Sequence, residues 1–179
     1  HPDSLRLATP VFNPLYRFGQ VLRGIRTTIP AVDAADVGAM LTREELALFL
    51  ASHSRDRVHS IRVMRWLWHH ASPSDQLIAA ALLHDVSKGQ PSVLDRSVFA
   101  VLEALSLRLT DRVAAEHGIA WRRRMWQLRH HPRIAADALR LAGSEARVIE
   151  LVELHAARRS AQAGSDADLA LLITADGAC

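Results

Sequence analysis

Leu77-Ile78-Ala79-Ala80-Ala81-Leu82-Leu83-His84-Asp85-Val86-Ser87-Lys88-Gly89 is the stretch on which the reading of the chain turns. An unbroken apolar run leads into His84 and Asp85, and Gly89 and Pro91 end the helical pattern. A histidine and an aspartate side by side at the end of a buried segment are costly to place. An unpaired polar group in an apolar interior costs roughly 2–7 kcal/mol, and a charge costs more. A bound cation offsets both, and imidazole with carboxylate suits Zn, Mn, Fe or Co. The plainer alternative is a helix C-terminus that carries its own ion pair.

Helical patterns extend on both sides of this stretch. Upstream, Ser72-Pro73-Ser74-Asp75 starts the helix that carries Leu77 to Leu83, with proline near its first turn. Before it, a helix spans about Asp56 to His70, and a break lies at Ser52 to Ser54. Thr42-Arg43-Glu44-Glu45 reads as a capping box opening a short helix through Phe49. Thr27 to Asp36, with Pro30, reads as a turn-rich link. Pro14 to Arg26 reads as an amphipathic basic helix on Leu15, Phe18, Leu22 and Ile25, after an extended lead over residues 1–11.

Downstream, Val98, Val101, Leu102, Leu105, Leu109 and Val113 keep a 3.6-residue period, which predicts one helix from Ser97 to about His117, ended by Gly118. Trp121 to Arg129 continues helical, and His131-Pro132 restarts a helix that runs to Leu141. Gly143-Ser144 is a stop followed by an N-cap for Glu145 to Arg158. Ser165 to Asp168 caps a last helix through Asp176. No segment alternates like a strand. The expectation is an all-α, multi-helix bundle: residues 1–40 form a lead and amphipathic helix, and residues 41–179 form the domain.

The chain has 179 residues, a formal charge of +3 and 10 histidines. Lys88 is its single lysine and Cys179 its single cysteine, which excludes an internal disulfide and a cysteine-based zinc knuckle. With no leader pattern and no run of ~18 apolar residues, neither secretion nor a spanning helix is indicated, and a cytoplasmic location is expected. The mild positive balance suits an anionic substrate and is weak support for nucleic-acid binding.

The histidine excess is explained by asking which polar residues interrupt apolar faces. His59 shares a side with Val63 and Trp66. His84 continues the Leu77/Ala81 stripe, Asp85 the Ile78/Leu82 stripe, His155 the Leu151 stripe and Asp176 the Leu172 stripe. His131 sits at a helix start, beside a competing His130. Helical bundles assemble metal sites from such residues on facing helices. Two ions ~3.5–4 Å apart can clamp the attacking and leaving oxygens of a phosphoryl group. Asp85 is the natural bridge, and Lys88 comes round near it to contact a substrate phosphate. His53, His69, His70 and His117 read as solvated, Arg122 to Arg124 as a solvated face, and Trp66, Trp68, Trp121 and Trp126 as core.

Taken together, Arg57-Val58-His59-Ser60, Leu82 to Gly89, His131-Pro132 with Ile134-Ala135-Ala136, Glu153-Leu154-His155 and Leu172-Ile173-Thr174-Ala175-Asp176 resemble the motifs of the HD-domain superfamily of metal-dependent phosphohydrolases. The resemblance covers roughly residues 41–178. It implies that His59, His84, Asp85 and Asp176 bind one metal, and that His131 and His155, with Asp85 bridging, bind a second. The chain departs from the larger members in having His155-Ala156 where they often have two histidines, and it has no Gly-Tyr-Pro motif beyond them. Cyclic-di-GMP hydrolysis is therefore not expected.

The resemblance thus implies a phosphohydrolase with Asp85 and Lys88 at its catalytic centre. One or two divalent ions (Mn, Fe, Mg, Co or Zn) would act on a phosphorylated small molecule or nucleotide, without specific nucleic-acid binding. The alternative is a catalytically weak or inactive HD-like regulatory domain that binds metal or nucleotide together with a protein or membrane partner. The oligomeric state is left open.

Overall fold

The computed structural model describes residues 31–89, 92–156 and 165–179. The expected lead and the amphipathic helix of residues 14–26 lie outside these, as does the end of the helix expected to reach Arg158. Among the described residues the chain forms α1 (Ala31–Met40), α2 (Arg43–Ala51), α3 (Ser54–His70), α4 (Asp75–Leu83), α5 (Val93–Leu105), α6 (Leu107–Val113), α7 (Ala120–Leu141), α8 (Ala146–Leu154) and α9 (Ala167–Ala178), with no strand. The fold is all-α, as the periodicities indicate. No described helix is long and apolar enough to cross a membrane.

The short helix α4 lies at the centre. Every residue from Leu77 to Leu83 is buried. A helix apolar all round must be covered on all sides, and α1, α2, α3, α8 and α9 pack around it. They supply Val37, Phe49, Met64, Leu67, Leu151 and Leu172 to one continuous core, which Leu139 of α7 also enters. The alanines of α4 let its neighbours approach closely. The end of α4 therefore opens at the meeting point of several helices.

Local chemistry sets the helix ends. Thr42 and Glu45 form the expected capping box, with Thr42 N–H donating to Glu45 Oε2 at 2.9 Å. Gly143 takes φ +74°, and Gly143 and Ser144 N–H donate to Arg140 and Leu139 carbonyls, closing α7 as a Schellman motif. The N-cap of α8 is Glu145 rather than Ser144.

Several sequence readings need correction. The segment read as a turn-rich link is helical from Ala31, and Val37 of α1 enters the core. The helix expected from Ser97 begins at Val93, because Ser92 and Asp95 cap each other. It breaks at Ser106, which is extended at φ −169°, ψ 125°. Pro132 lies inside α7, which is continuous from Ala120 to Leu141, so His131 is not at a helix start. Of the tryptophans read as core, Trp66 packs half-buried against it, Trp121 and Trp126 are half-buried, and Trp68 is exposed. The arginine run is also more engaged than a solvated face: Arg122 donates to the carbonyls of Arg112 and Val113, and Arg124 pairs with Asp95.

Candidate metal centre

Five helices deliver the six expected ligands. His59 comes from the first half of α3 and Asp176 from the last turn of α9. His84 and Asp85 follow the last turn of α4, His155 follows the last turn of α8, and His131 sits mid-way along α7. His84, Asp85, His131 and His155 are buried, while His59 and Asp176 line the opening.

Three of the histidines are oriented by the same device. His84 Nδ1 donates to the Ala81 carbonyl at 2.9 Å, His131 Nδ1 to Leu128 at 2.7 Å and His155 Nδ1 to Val152 at 2.6 Å. A carbonyl only accepts, so each Nδ1 carries the proton and each Nε2 is left to ligate. The carbonyls are ones their helices leave short of donors. Ala81 and Val152 lie in last turns, where no amide follows within the helix. In α7 the amide that would bond Leu128 belongs to Pro132, which has no N–H. The proline inside the helix thus frees the carbonyl that holds His131.

The donor atoms fall into two groups that share Asp85. In the first, His59 Nε2 lies 2.9 Å from Asp176 Oδ1 and 4.0 Å from Asp85 Oδ2. His84 Nε2 lies 3.4 Å from Asp85 Oδ2 and 3.7 Å from Asp176 Oδ1. In the second, His131 Nε2 lies 3.5 Å from the other carboxylate oxygen, Asp85 Oδ1. The His155 ring is centred 5.3 Å from that of His131. Two donors ~2.1 Å from one ion are at most about 4.2 Å apart, and the five donor-atom separations above satisfy this. His59, His84 and Asp85, and separately Asp85, His131 and His155, have the spacing of metal-holding groups. His84 Nε2, Asp85 Oδ1 and His131 Nε2 are buried without a hydrogen-bond partner. Orphaned buried lone pairs of this kind are what a cation would satisfy.

The electrostatics agree with that fit. Burial opposes charge on His84, but Asp85 and Asp176 outweigh it and raise its pKa to about 10. The carboxylates that favour a proton at this position favour a cation there as well. Burial opposes ionisation of Asp85 and Asp176, yet the neighbouring histidines, with Lys88 for Asp85, hold both well below the usual carboxylate range. Burial, with Lys88 nearby, lowers His131 to about 3, and burial beside His84 lowers His155 to about 4. Both imidazoles are neutral at pH 7, the form that ligates metals. Lys88 Nζ donates to Asp85 Oδ2 at 2.6 Å.

The site lines a cavity of about 240 Å³. Sequence reasoning missed part of its wall: Arg62, Arg96, Phe99 and Arg129. Arg62 follows His59 by three residues, so helical spacing alone puts it on the same face. Arg96 is held by Asp56, and no sequence spacing signals that pairing. His130 is not part of the cluster. It stands half-exposed against Trp126, with ring centroids 4.8 Å apart. His53 caps α3, and His69, His70 and His117 are exposed.

No protein-family model, curated protein or solved structure matches the chain.

Proposed function

We propose that the chain is a divalent-metal-dependent phosphohydrolase of HD-domain type. The observation that carries this reading is the split carboxylate of Asp85: Oδ2 faces His59 and His84, and Oδ1 faces His131. His59, His84, Asp85 and Asp176 would hold one ion, and Asp85, His131 and His155 a second. When bound, such ions supply Lewis acidity toward phosphate oxygens and lower the pKa of coordinated water toward ~7.

The remaining chemistry belongs to the chain. Lys88 sits as the counter-charge of Asp85 Oδ2 and provides a positive point charge for a phosphate oxygen. Arg96 and Arg129 give the cavity a cationic wall for an anionic ester, and Phe99 and Leu128 give it an apolar one. A single cysteine suits a reducing compartment, and cytoplasmic residence belongs to this reading. The substrate is a phosphorylated small molecule or nucleotide.

The test is an assay of purified protein with added Mn²⁺ against a phosphomonoester, a phosphodiester and a nucleotide panel. Turnover of at least one supports the proposal; no turnover and no metal by elemental analysis defeats it. A second reading, a regulatory domain that binds metal without turnover, is favoured by one feature. Leu94, Val101 and Leu105 of α5 are 72%, 56% and 72% exposed on one helix face, a surface suited to a partner. Tight metal binding with no activity would select it.

A further inference from the structure

The metal cavity does not end at the metal ligands. It adjoins a second, shallower groove of about 410 Å³ along the outer face of α3, where Arg65, Trp66, His69 and His70 stand. Arg62 and Cys179 line both spaces, so the two adjoin at these residues. His59, Arg62, Trp66 and His70 recur at intervals of three and four residues, which is one face of a helix. That face therefore runs from a metal ligand, through a guanidinium, to an aromatic pair. The Trp66 and His70 rings are stacked with centroids 4.2 Å apart.

Arg62 differs from the other cations of the cavity wall. Lys88 is held by Asp85, Arg96 by Asp56 and Arg129 by Asp111, and Arg55 of the same wall is also engaged. Arg62 is half-buried and has no carboxylate partner among the described residues. A guanidinium presents a planar fork of donors suited to phosphate oxygens. Arg62 stands one turn of helix from a metal ligand and lines both the metal cavity and the groove beside it.

We propose that Arg62 binds a second anionic group of the substrate. The substrate class is then a phosphate ester whose non-transferred portion is itself phosphorylated and extends into the groove beside Trp66 and His70. This rests on the hydrolase reading for the first phosphate. The second site itself rests on the place of Arg62 in the lining of both spaces and on its uncommitted charge.

The test uses full-length protein loaded with Mn²⁺ and a matched pair, adenosine 5′-monophosphate and adenosine 3′,5′-bisphosphate, which differ by one phosphate. A charge-assisted contact predicts kcat/KM roughly tenfold higher for the bisphosphate. Arg62→Gln removes that preference and Arg62→Lys keeps part of it, with Tm recorded for each variant. If neither nucleotide is turned over, calorimetric titration with the same pair reads the same contrast as a ratio of Kd values. An Arg62-dependent preference in binding without turnover counts against the hydrolase reading and keeps the second site. Turnover without preference keeps the hydrolase and overturns the second site. Equal losses for both ligands in Arg62→Gln, or no wild-type preference by either measure, also overturn it.

Discussion

Arg96→Ala is expected to destabilise the protein by about 3 kcal/mol. Arg96 of α5 makes a two-pronged bridge to Asp56 of α3, with Nη1–Oδ1 at 2.9 Å and Nη2–Oδ2 at 3.2 Å. The Asp56 side chain is 4% exposed and that of Arg96 16%. Removing one partner of a buried pair costs about 3–5 kcal/mol, because the other charge is left without compensation. The opening beside Arg96 admits water, so the lower end applies. For a chain of this size that is a fall in Tm of about 6–12 °C. Asp56→Asn keeps one acceptor and leaves the more exposed partner behind, so about 1–2 kcal/mol is expected. Urea denaturation followed by circular dichroism measures both variants and the double variant. The pair should show a coupling of at least ~1 kcal/mol. Metal content should not change, since all six ligands remain. An Arg96→Ala loss below ~0.5 kcal/mol, or strict additivity, would refute the claim that this bridge fastens α5 to the metal-bearing face of α3.

Further perturbations separate the parts of the site. Gly89 takes φ +72°, and a Cβ there would lie 2.5 Å from the Gln127 amide nitrogen. Gly89→Ala should cost about 1–2 kcal/mol in urea denaturation and, by shifting the neighbouring Lys88, lower kcat. Lys88→Gln removes a cation from Asp85 Oδ2, so calorimetry should show tighter Mn²⁺ binding while turnover falls. Asp166, the N-cap of α9, is held by Arg147, with further bonds from the α9 backbone, at a pKa of about 2 against an ordinary 3.8. A depressed carboxylate pKa contributes stability that is complete above the unfolded value and is lost as pH falls through the folded one. Wild-type stability should therefore drop between pH ~4 and ~2, and Asp166→Asn, compared by urea denaturation at several pH values, should flatten that drop.

The middle of the fold is legible in the sequence and its edges are less so. Seven apolar residues before His84, opened by Ser72-Pro73-Ser74-Asp75 and flanked by helical patterns, read as a covered helix, and α4 is that helix. His84, His155 and Asp176 are readable because each continues an apolar stripe of its own helix, and a stripe fixes which way a side chain points. The adjoining proline favours His131 over His130, and the structure does bring His131 to the cluster, but the supposed helix start does not exist. What proline supplies is the bare carbonyl of Leu128. The break at Ser106 leaves no mark because periodicity reports a face, and the face continues across the break from Leu102 to Leu109. The pairing of Arg96 with Asp56 joins residues 40 positions apart, and no local pattern encodes it.

The central claim is that Asp85 serves two groups of histidines at once. Elemental analysis of protein dialysed after Mn²⁺ loading tests it most directly, with wild type beside Asp85→Ala, His59→Gln and His131→Gln. The account predicts that wild type retains more than one ion per chain, that each histidine variant loses one, and that Asp85→Ala loses both. Metal retention by Asp85→Ala equal to wild type, or a wild-type chain that holds none, would contradict it.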